Sequence, residues 1–239
     1  MNFNLNELQL KSVFYHFNDK IILDNMTLDF KGPCAVYLFG KNGSGKSTLL
    51  KLIAQVLQPS FGEIFWNGQA LEKNKSVISY VPQYLKAFDS FFVEDFIHFF
   101  SKEKKIKFTK EISDDWIHKF ELKSLLRKSI LELSGGEWKR VQVARALMQS
   151  PQILILDEID SDLDYAYKGK LLNIIQKYIY EKKAVVYFAS HDIKFGSQLL
   201  THAIAIENGK AMWTGSGSEF WNLGIFSKVM QISKRFERI

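Results

Sequence analysis

The decisive stretch of this sequence is Gly40-Lys41-Asn42-Gly43-Ser44-Gly45-Lys46-Ser47, which stands between the apolar residues 35–39 and the helical pattern 48–54. Its glycines let backbone N–H groups approach phosphate oxygens without a Cβ in the way. A helix that begins behind such a loop adds the positive end of its dipole. Lys46 supplies a charge for the β- and γ-phosphates, and the Ser47 hydroxyl can ligate Mg²⁺. The stretch therefore predicts a nucleotide-binding loop at a turn from strand to helix.

Composition is consistent with one α/β domain, or with a core and a small subdomain. The 239 residues suffice to bury a core, and the one cysteine, Cys34, excludes an internal disulfide. The first residues lack the pattern of a secretory signal, and no apolar run approaches the ~20 residues of a membrane span. We therefore expect a cytoplasmic chain that does not itself cross a membrane. The formal charge of +6 comes from scattered lysines, so nucleic acid is an unlikely partner.

Apolar periodicity predicts alternating strands and helices. Strands are expected over residues 8–17, 21–30, 35–39, 63–66, 153–156 and 184–189, with a hairpin around Asn208-Gly209. Helices are expected after the phosphate loop and over 137–148 and 165–182, and residues 90–130 are helix-like and charged. The apolar run 153–156 is typical of a central strand in a parallel sheet. This order predicts an α/β fold.

Polar side chains stand where predicted strands end. Asp157 and Glu158 follow the apolar run 153–156, at the sheet edge where open α/β folds bind ligands. Asp157 suits magnesium held through water, and Glu158 can poise a water for attack on a γ-phosphate. His191 can hydrogen-bond that phosphate, and Gln83 can reach both magnesium and water. A solvated strand end explains Asp157 and Glu158 equally well when they are taken alone, a lone histidine is ordinarily a surface residue, and Gln83 alone indicates nothing. Beside a phosphate loop, these residues predict a site for a nucleoside triphosphate and Mg²⁺.

A second anion-binding turn follows in Leu133-Ser134-Gly135-Gly136-Glu137. A Ser-Gly-Gly turn that opens a helix offers a hydroxyl, free N–H groups and a helix dipole. Of the two anion-binding turns in this chain, only the phosphate loop has the lysine and the magnesium ligand. Pairing of two chains would give the second turn a phosphate to bind. The second turn of one protomer would then cover the γ-phosphate held by the other.

With these motifs in this order, the sequence resembles the nucleotide-binding domain of the ATP-binding cassette (ABC) ATPases over essentially its whole length. The matching motifs are Walker A (40–47), the Q-loop (Gln83), the signature (133–137), Walker B (153–157) with Glu158, the D-loop (161–164) and the H-loop (His191). The resemblance implies a P-loop NTPase (RecA-like) core with an antiparallel β subdomain and an inserted α-helical subdomain. The expected parts of the single domain 1–239 are the core with its β subdomain (1–84 and 150–217), the helical subdomain (85–149) and a C-terminal helical tail (218–239).

The resemblance also implies residue roles. Catalysis is expected from Glu158, His191, Gln83 and Lys46, and magnesium binding from Ser47, Gln83 and Asp157. ATP contacts are expected from Phe17, Gly40, Lys41, Asn42, Gly43, Ser44, Gly45, Lys46, Ser47, Thr48, Ser134, Gly135, Gly136 and Asp164. Phe17 falls where the family stacks an aromatic ring on adenine, and Phe14 or Tyr15 are the alternatives.

The sequence departs from the family pattern at four positions. Ile159 and Asp160 replace the common proline and the small or polar residue after the glutamate, and Asp162 replaces a small residue. Two extra acids are therefore expected near the dimer interface. Trp138 stands where glutamine or arginine is more common.

The favoured function is the energy-coupling subunit of a membrane transporter. Such a subunit would act as a homodimer or with a second ABC subunit, peripheral on the inner face of the cell membrane through integral membrane transporter subunits. An apolar stripe lies where the family accepts a helix of the membrane subunit, and it consists of Phe88, Phe91, Phe92, Phe96, Phe99 and Phe100. About half of these six rings are expected to lie in the core of the helical subdomain instead.

The alternative is a soluble machine for iron–sulfur assembly, translation, DNA repair or chromosome maintenance. The SUF assembly ATPase is the sharpest rival, because residues 157–161 resemble its Walker B and D-loop segment. Residues 83–134 and 141–147 instead follow the transporter pattern. The tail 221–239 is interpreted as an amphipathic helix that packs on the core, and a contact to the membrane or to a partner is the alternative.

Overall fold

The structure is a computed structural model that describes residues 6–85, 91–103 and 109–222. Two sheets enclose the first helix, α1 (Lys46–Ile53), and the remaining α-helices contribute to a second core on the other face of the larger sheet. Phe88 and residues 223–239 of the tail lie outside the described residues, as do the side chains of Phe99 and Phe100.

The larger sheet has six strands in the order β10-β9-β3-β8-β7-β6. The five strands from β9 to β6 in this order run parallel, and β10 pairs antiparallel with β9. Every residue of β3, β7 and β8 is buried, as expected for central strands covered on both faces. The strands are β3 (Cys34–Phe39), β6 (Ile78–Val81), β7 (Ile153–Asp157), β8 (Val185–Ala189), β9 (His202–Glu207) and β10 (Lys210–Ser216).

The smaller sheet is antiparallel, with the order β2-β1-β4-β5. Alternate residues of β1, among them Leu8 and Leu10, face inward and pack with Leu49 and Ile53 of α1. The strands are β1 (Glu7–Phe17), β2 (Lys20–Lys31), β4 (Phe61–Trp66) and β5 (Gln69–Ala70). Burial of α1 between the two sheets fixes the loop in front of it.

The described residues form six further α-helices. They are α2 (Val93–Glu103), α3 (Lys110–Lys119), α4 (Gly135–Met148), α5 (Tyr165–Lys182), α6 (Ile193–Leu199) and α7 (Gly217–Asn222). Leu147 of α4 and Ile175 of α5 share one core with Leu154 and Leu156 of β7. In the part of the chain that the structure describes, no helix has both the length and the apolarity to span a bilayer.

The predicted elements are found with small shifts of their ends. The helix predicted over 165–182 is confirmed at both ends, and the helix predicted from residue 137 begins at Gly135. β6 and α6 were not predicted. The division into core, helical part and tail stays a prediction.

Candidate active site

The phosphate loop (residues 40–47) connects β3 to α1, as the sequence predicts. Gly43 and Gly45 have φ angles of 78° and 109°, which favour glycine. A Cβ at position 45 would lie 2.6 Å from Leu23 Cδ2, whereas one at position 43 would meet nothing within 4 Å. Inside the loop, the buried Ser44 hydroxyl has no hydrogen-bond partner among the described residues. The loop therefore has an open face and a free hydroxyl, which suit a phosphate.

Lys46 lies at the start of α1, and its ammonium group is held over the phosphate loop. Its Nζ donates hydrogen bonds to the carbonyl oxygens of Gly40 (2.7 Å) and Lys41 (2.9 Å). Burial lowers the pKa of Lys46, while the nearby carboxylates of Glu158 and Asp157 raise it. The charge is thus concentrated where the loop would bind a triphosphate.

Ser47 and Asp157 meet at the carboxyl end of β7. The Ser47 hydroxyl donates to Oδ1 of Asp157 (3.2 Å), and the Tyr80 hydroxyl of β6 donates to Oδ2 (3.4 Å). Burial raises the pKa of the Asp157 carboxyl, and the hydrogen bond from Ser47 lowers it. Hydroxyl and carboxylate oxygens are hard ligands, so this pair fits Mg²⁺. Tyr80 was not predicted as part of the site.

Glu158 lies between Gln83 and His191. Its Oε1 is 2.7 Å from Nε2 of His191, and its Oε2 accepts a hydrogen bond from Nε2 of Gln83. The Glu158 backbone has a φ of 51°, and its N–H donates to the Ala189 carbonyl of β8 (3.0 Å). This turn aims the carboxylate toward two residues that follow other strands. The structure thus brings together three of the residues predicted to be catalytic.

The signature turn opens α4 as a capping box. The Ser134 hydroxyl accepts from the Glu137 N–H (3.3 Å), and the Glu137 carboxylate accepts from the Ser134 N–H (2.9 Å). In front of the turn is a cleft of about 350 Å³. This signature cleft is lined by Ser134, Gly135, Gly136, Asp162, Asp164 and Tyr167. Asp164 also caps α5 by accepting from the Tyr167 N–H (2.7 Å).

The two extra acids of the D-loop differ in their surroundings. Asp160 is 3% exposed, and its Oδ2 accepts a hydrogen bond from the Ser190 hydroxyl (2.8 Å). Lys168 of α5 approaches the same oxygen at 3.9 Å and pairs with Asp192 at 2.7 Å. Hydrogen bonding therefore holds Asp160 inside the protein, and the expectation that both acids lie near a dimer interface stays a prediction. Asp162 is exposed beside Gly135.

Exposure distinguishes the three aromatic candidates for adenine stacking. Phe17 ends β1 and is 63% exposed, whereas Phe14 and Tyr15 are half-buried. Tyr15 packs against the core between the two sheets. Phe17 is therefore the most exposed of the three rings, and its stacking on adenine stays a prediction.

The fold and the site define the chain as a P-loop NTPase of the α/β class. A sequence profile described as ABC transporter matches residues 23–161. The chain belongs to the ABC transporter family.

Three relatives carry transporter names. The molybdenum import ATP-binding protein ModC of Shewanella sp. (strain MR-4) is 32% identical over 83% of this chain, which spans only 55% of that protein. The zinc uptake system ATP-binding protein ZurA of Listeria innocua is 31% identical, with 89% of this chain and 87% of that protein covered. The probable iron export ATP-binding protein FetA of Escherichia coli (strain K12) is 32% identical, with coverages of 77% and 84%.

A solved structure of the ATP binding subunit of an ABC transporter has the same fold. Its TM-score is 0.83 at 19% identity, with 93% of this chain and 97% of that chain covered.

Proposed function

We propose that this chain binds and hydrolyses ATP as a subunit that powers an ABC transporter. The observation that carries the proposal is the convergence of Gln83 and His191 on Glu158, beside the Ser47–Asp157 pair. Family membership supports it, as do relatives named ATP-binding proteins of both import and export systems. The proposal therefore covers the ATP cycle and names no cargo.

In this function, the N–H groups of the phosphate loop and the Lys46 ammonium bind the β- and γ-phosphates of ATP. Ser47, Gln83 and Asp157 would hold Mg²⁺, which neutralises phosphate charge when bound. Phe17 stacks on the adenine ring.

Glu158 acts as the general base of hydrolysis. It accepts a proton from a water molecule whose oxygen bonds to the γ-phosphorus, and the bond from that phosphorus to the bridging oxygen breaks. ADP and inorganic phosphate are the products. His191 and Gln83 hold the carboxylate on two sides, and His191, whose side chain is 56% exposed, can also donate to a γ-phosphate oxygen.

Two chains complete each site by pairing head to tail. The signature cleft is formed by α4, α5 and the D-loop without a residue of the phosphate loop. Its Ser134 hydroxyl and the Gly135 and Gly136 N–H groups would bind the γ-phosphate held by the partner subunit. Hydrolysis removes that shared phosphate, and the dimer opens. The partner is a second copy of this chain or another ABC subunit.

We place the membrane partner against α2 and the residue before it. Phe92 is 52% exposed, Phe91 is half-buried against the core and Phe96 is buried. An exposed ring at the rim of a buried cluster suits an amphipathic helix of an integral membrane subunit. Such a partner would hold this chain at the inner face of the membrane.

The Glu158→Gln variant tests the proposed chemistry. Loss of a general base lowers turnover by about 10²–10⁴-fold, and ATP then traps a dimer that size-exclusion chromatography with light scattering detects. Glu181→Gln is the control, because Glu181 is an exposed acid of α5 whose one ion pair among the described residues is with Lys177. Near-normal turnover of Glu158→Gln would contradict the assignment.

The same variant tests the proposed partner. A tagged Glu158→Gln protein, purified from mildly solubilised native membranes with ATP present, should retain an integral membrane protein in near-stoichiometric amount. Retention of soluble proteins alone would refute the transporter role.

A further inference from the structure

The start of α4 holds the residues that follow β6. Lys139 Nζ donates hydrogen bonds to the carbonyl oxygens of Pro82 (3.0 Å) and Gln83 (2.7 Å), and the indole N–H of Trp138 donates to the carbonyl of Leu85 (3.1 Å). Residues 82–85 are called the Gln83 segment below. The contacts give Trp138 a physical role, and no motif in the sequence predicts them.

Lys139 is a buried cation whose contacts are directed at this segment. The residue is 2% exposed, and a buried ammonium group requires hydrogen-bond acceptors. Burial lowers the pKa of Lys139, while nearby carboxylates, Asp162 foremost, raise it. Charge-assisted hydrogen bonds to carbonyls are short and strong, so they fix the backbone on both sides of the Pro82–Gln83 bond.

The Gln83 side chain passes this constraint to the catalytic carboxylate. Lys139 binds the carbonyl of Gln83, and the amide of Gln83 donates to Oε2 of Glu158. One residue, Gln83, therefore connects Lys139 to the predicted general base. Displacement of the Gln83 backbone would remove one of the two groups that orient Glu158.

Trp138 extends the same set of contacts to α2. Its ring centroid is 4.7 Å from that of Phe96, and the Arg145 guanidinium lies 4.3 Å from the Phe96 centroid. One indole therefore contacts α2 with its ring and the Gln83 segment with its N–H. A shift of α2 relative to α4 would alter the hydrogen bond to Leu85.

We infer that Lys139 and Trp138 are positioning residues that hold the Gln83 segment in the geometry in which Gln83 orients Glu158, and that Trp138 links this segment to α2. The inference rests on the proposed ATP hydrolysis, because its consequence is a rate. It assigns no contact between these two residues and ATP.

A double-mutant cycle tests the inference. Lys139→Met, Gln83→Ala and the double variant are compared with the natural protein for kcat at saturating ATP and Mg²⁺. Lys139→Met alone should lower kcat by about tenfold, but by less than twofold in the Gln83→Ala background, because coupled residues are not additive. Equal fold-losses in both backgrounds would overturn the inference.

Arg140→Met is the matched control. Arg140 is the next residue of α4, and its guanidinium also binds main-chain carbonyls, those of Phe120 (2.7 Å) and Glu121 (2.8 Å). Its effect on kcat should be the same with and without Gln83→Ala, since it makes no contact with the Gln83 segment in the described residues. Coupling of Arg140 as strong as that of Lys139 would show only a general structural effect and would overturn the inference.

Hydrogen exchange provides a readout without turnover. The amides of residues 83–85 should exchange faster in Lys139→Met and in Trp138→Phe, which keeps a ring beside Phe96 but loses the indole donor. Lys139→Gln keeps an N–H donor and should restore part of the protection, and it replaces Lys139→Met if that variant does not fold. Unchanged hydrogen exchange in these variants would overturn the inference.

Absence of ATP hydrolysis by the natural protein would instead refute the proposed function, while hydrogen exchange would still test the contacts of Lys139 and Trp138 with the Gln83 segment.

Discussion

Removal of the Ser190 hydroxyl tests whether hydrogen bonding stabilises the two loops that present Glu158 and His191. This hydroxyl is buried, donates to Asp160 Oδ2 (2.8 Å) and accepts from the Asp192 N–H (2.9 Å). Ser190→Ala removes a hydrogen bond to a buried acid, worth about 1.5–3 kcal/mol, and leaves a backbone donor without its partner, at about 1 kcal/mol. We therefore expect the free energy of unfolding to fall by about 3 kcal/mol in total.

The expected change is large enough for thermal denaturation to resolve. For a protein of this size, a loss of 1 kcal/mol lowers Tm by about 2–4 °C, so Ser190→Ala should lower Tm by about 6–12 °C at pH 7. Ser197→Ala is the control, because in the described part of the chain that exposed hydroxyl has one hydrogen bond, which it donates to the Lys194 carbonyl. A Tm for Ser190→Ala that equals the Tm of the control would refute the reasoning.

The loss in free energy of unfolding caused by Ser190→Ala, called the deficit below, should also depend on pH. Burial raises the pKa of Asp160, and the hydrogen bond from Ser190 lowers it, so the pKa rises further in Ser190→Ala. A raised pKa in the folded state means that the ionised carboxyl destabilises the fold, and that stability is regained as pH falls through the folded pKa. The deficit should be largest at pH 7 and should shrink as pH approaches the ordinary aspartate value of about 3.9. A deficit that does not change with pH would show that the charge of Asp160 is not involved.

Two further predictions concern ATP binding and the acid side of the pH profile. Phe17→Ala should weaken ATP binding by about 5–150-fold in calorimetric titrations, the range for one stacked base, while Phe61→Ala, equally exposed at 65%, should leave it unchanged. Equal losses in both variants would argue against stacking. Tyr80→Phe removes a hydrogen bond that lowers the pKa of Asp157, so the acid limb of the ATPase profile should move to higher pH. A limb that stays in place would contradict that role of Tyr80.

Elements with a strong local pattern could be predicted from the sequence. The helix Tyr165–Lys182 has its caps and its apolar face within one stretch of chain, and the apolar runs of β3 and β7 need only burial on both sides. β6 is different, because its four residues include Ser79 and Tyr80 and its place depends on pairing with β7. Such pairing is not encoded in periodicity.

The residues of the candidate site could likewise be predicted only in part. Residues within motifs were identified, and the structure places Gln83 and His191 on Glu158, while their roles stay predictions. Tyr80, Ser190 and Lys139 were missed as site residues. They contact partners 77, 30 and 56 positions away in sequence, so their importance appears only when the chain is folded.

The backbone of Glu158 places a general constraint on how this protein can evolve. A φ of 51° costs a residue with a side chain roughly 1 kcal/mol relative to glycine, so glycine would suit the fold better at this position. Selection for thermostability alone would accept Glu158→Gly, and selection for turnover would reject it. Stabilised variants of this chain, whether from nature or from the laboratory, should therefore be screened for activity before they are compared, because a gain in melting temperature can arise at the residue proposed as the general base.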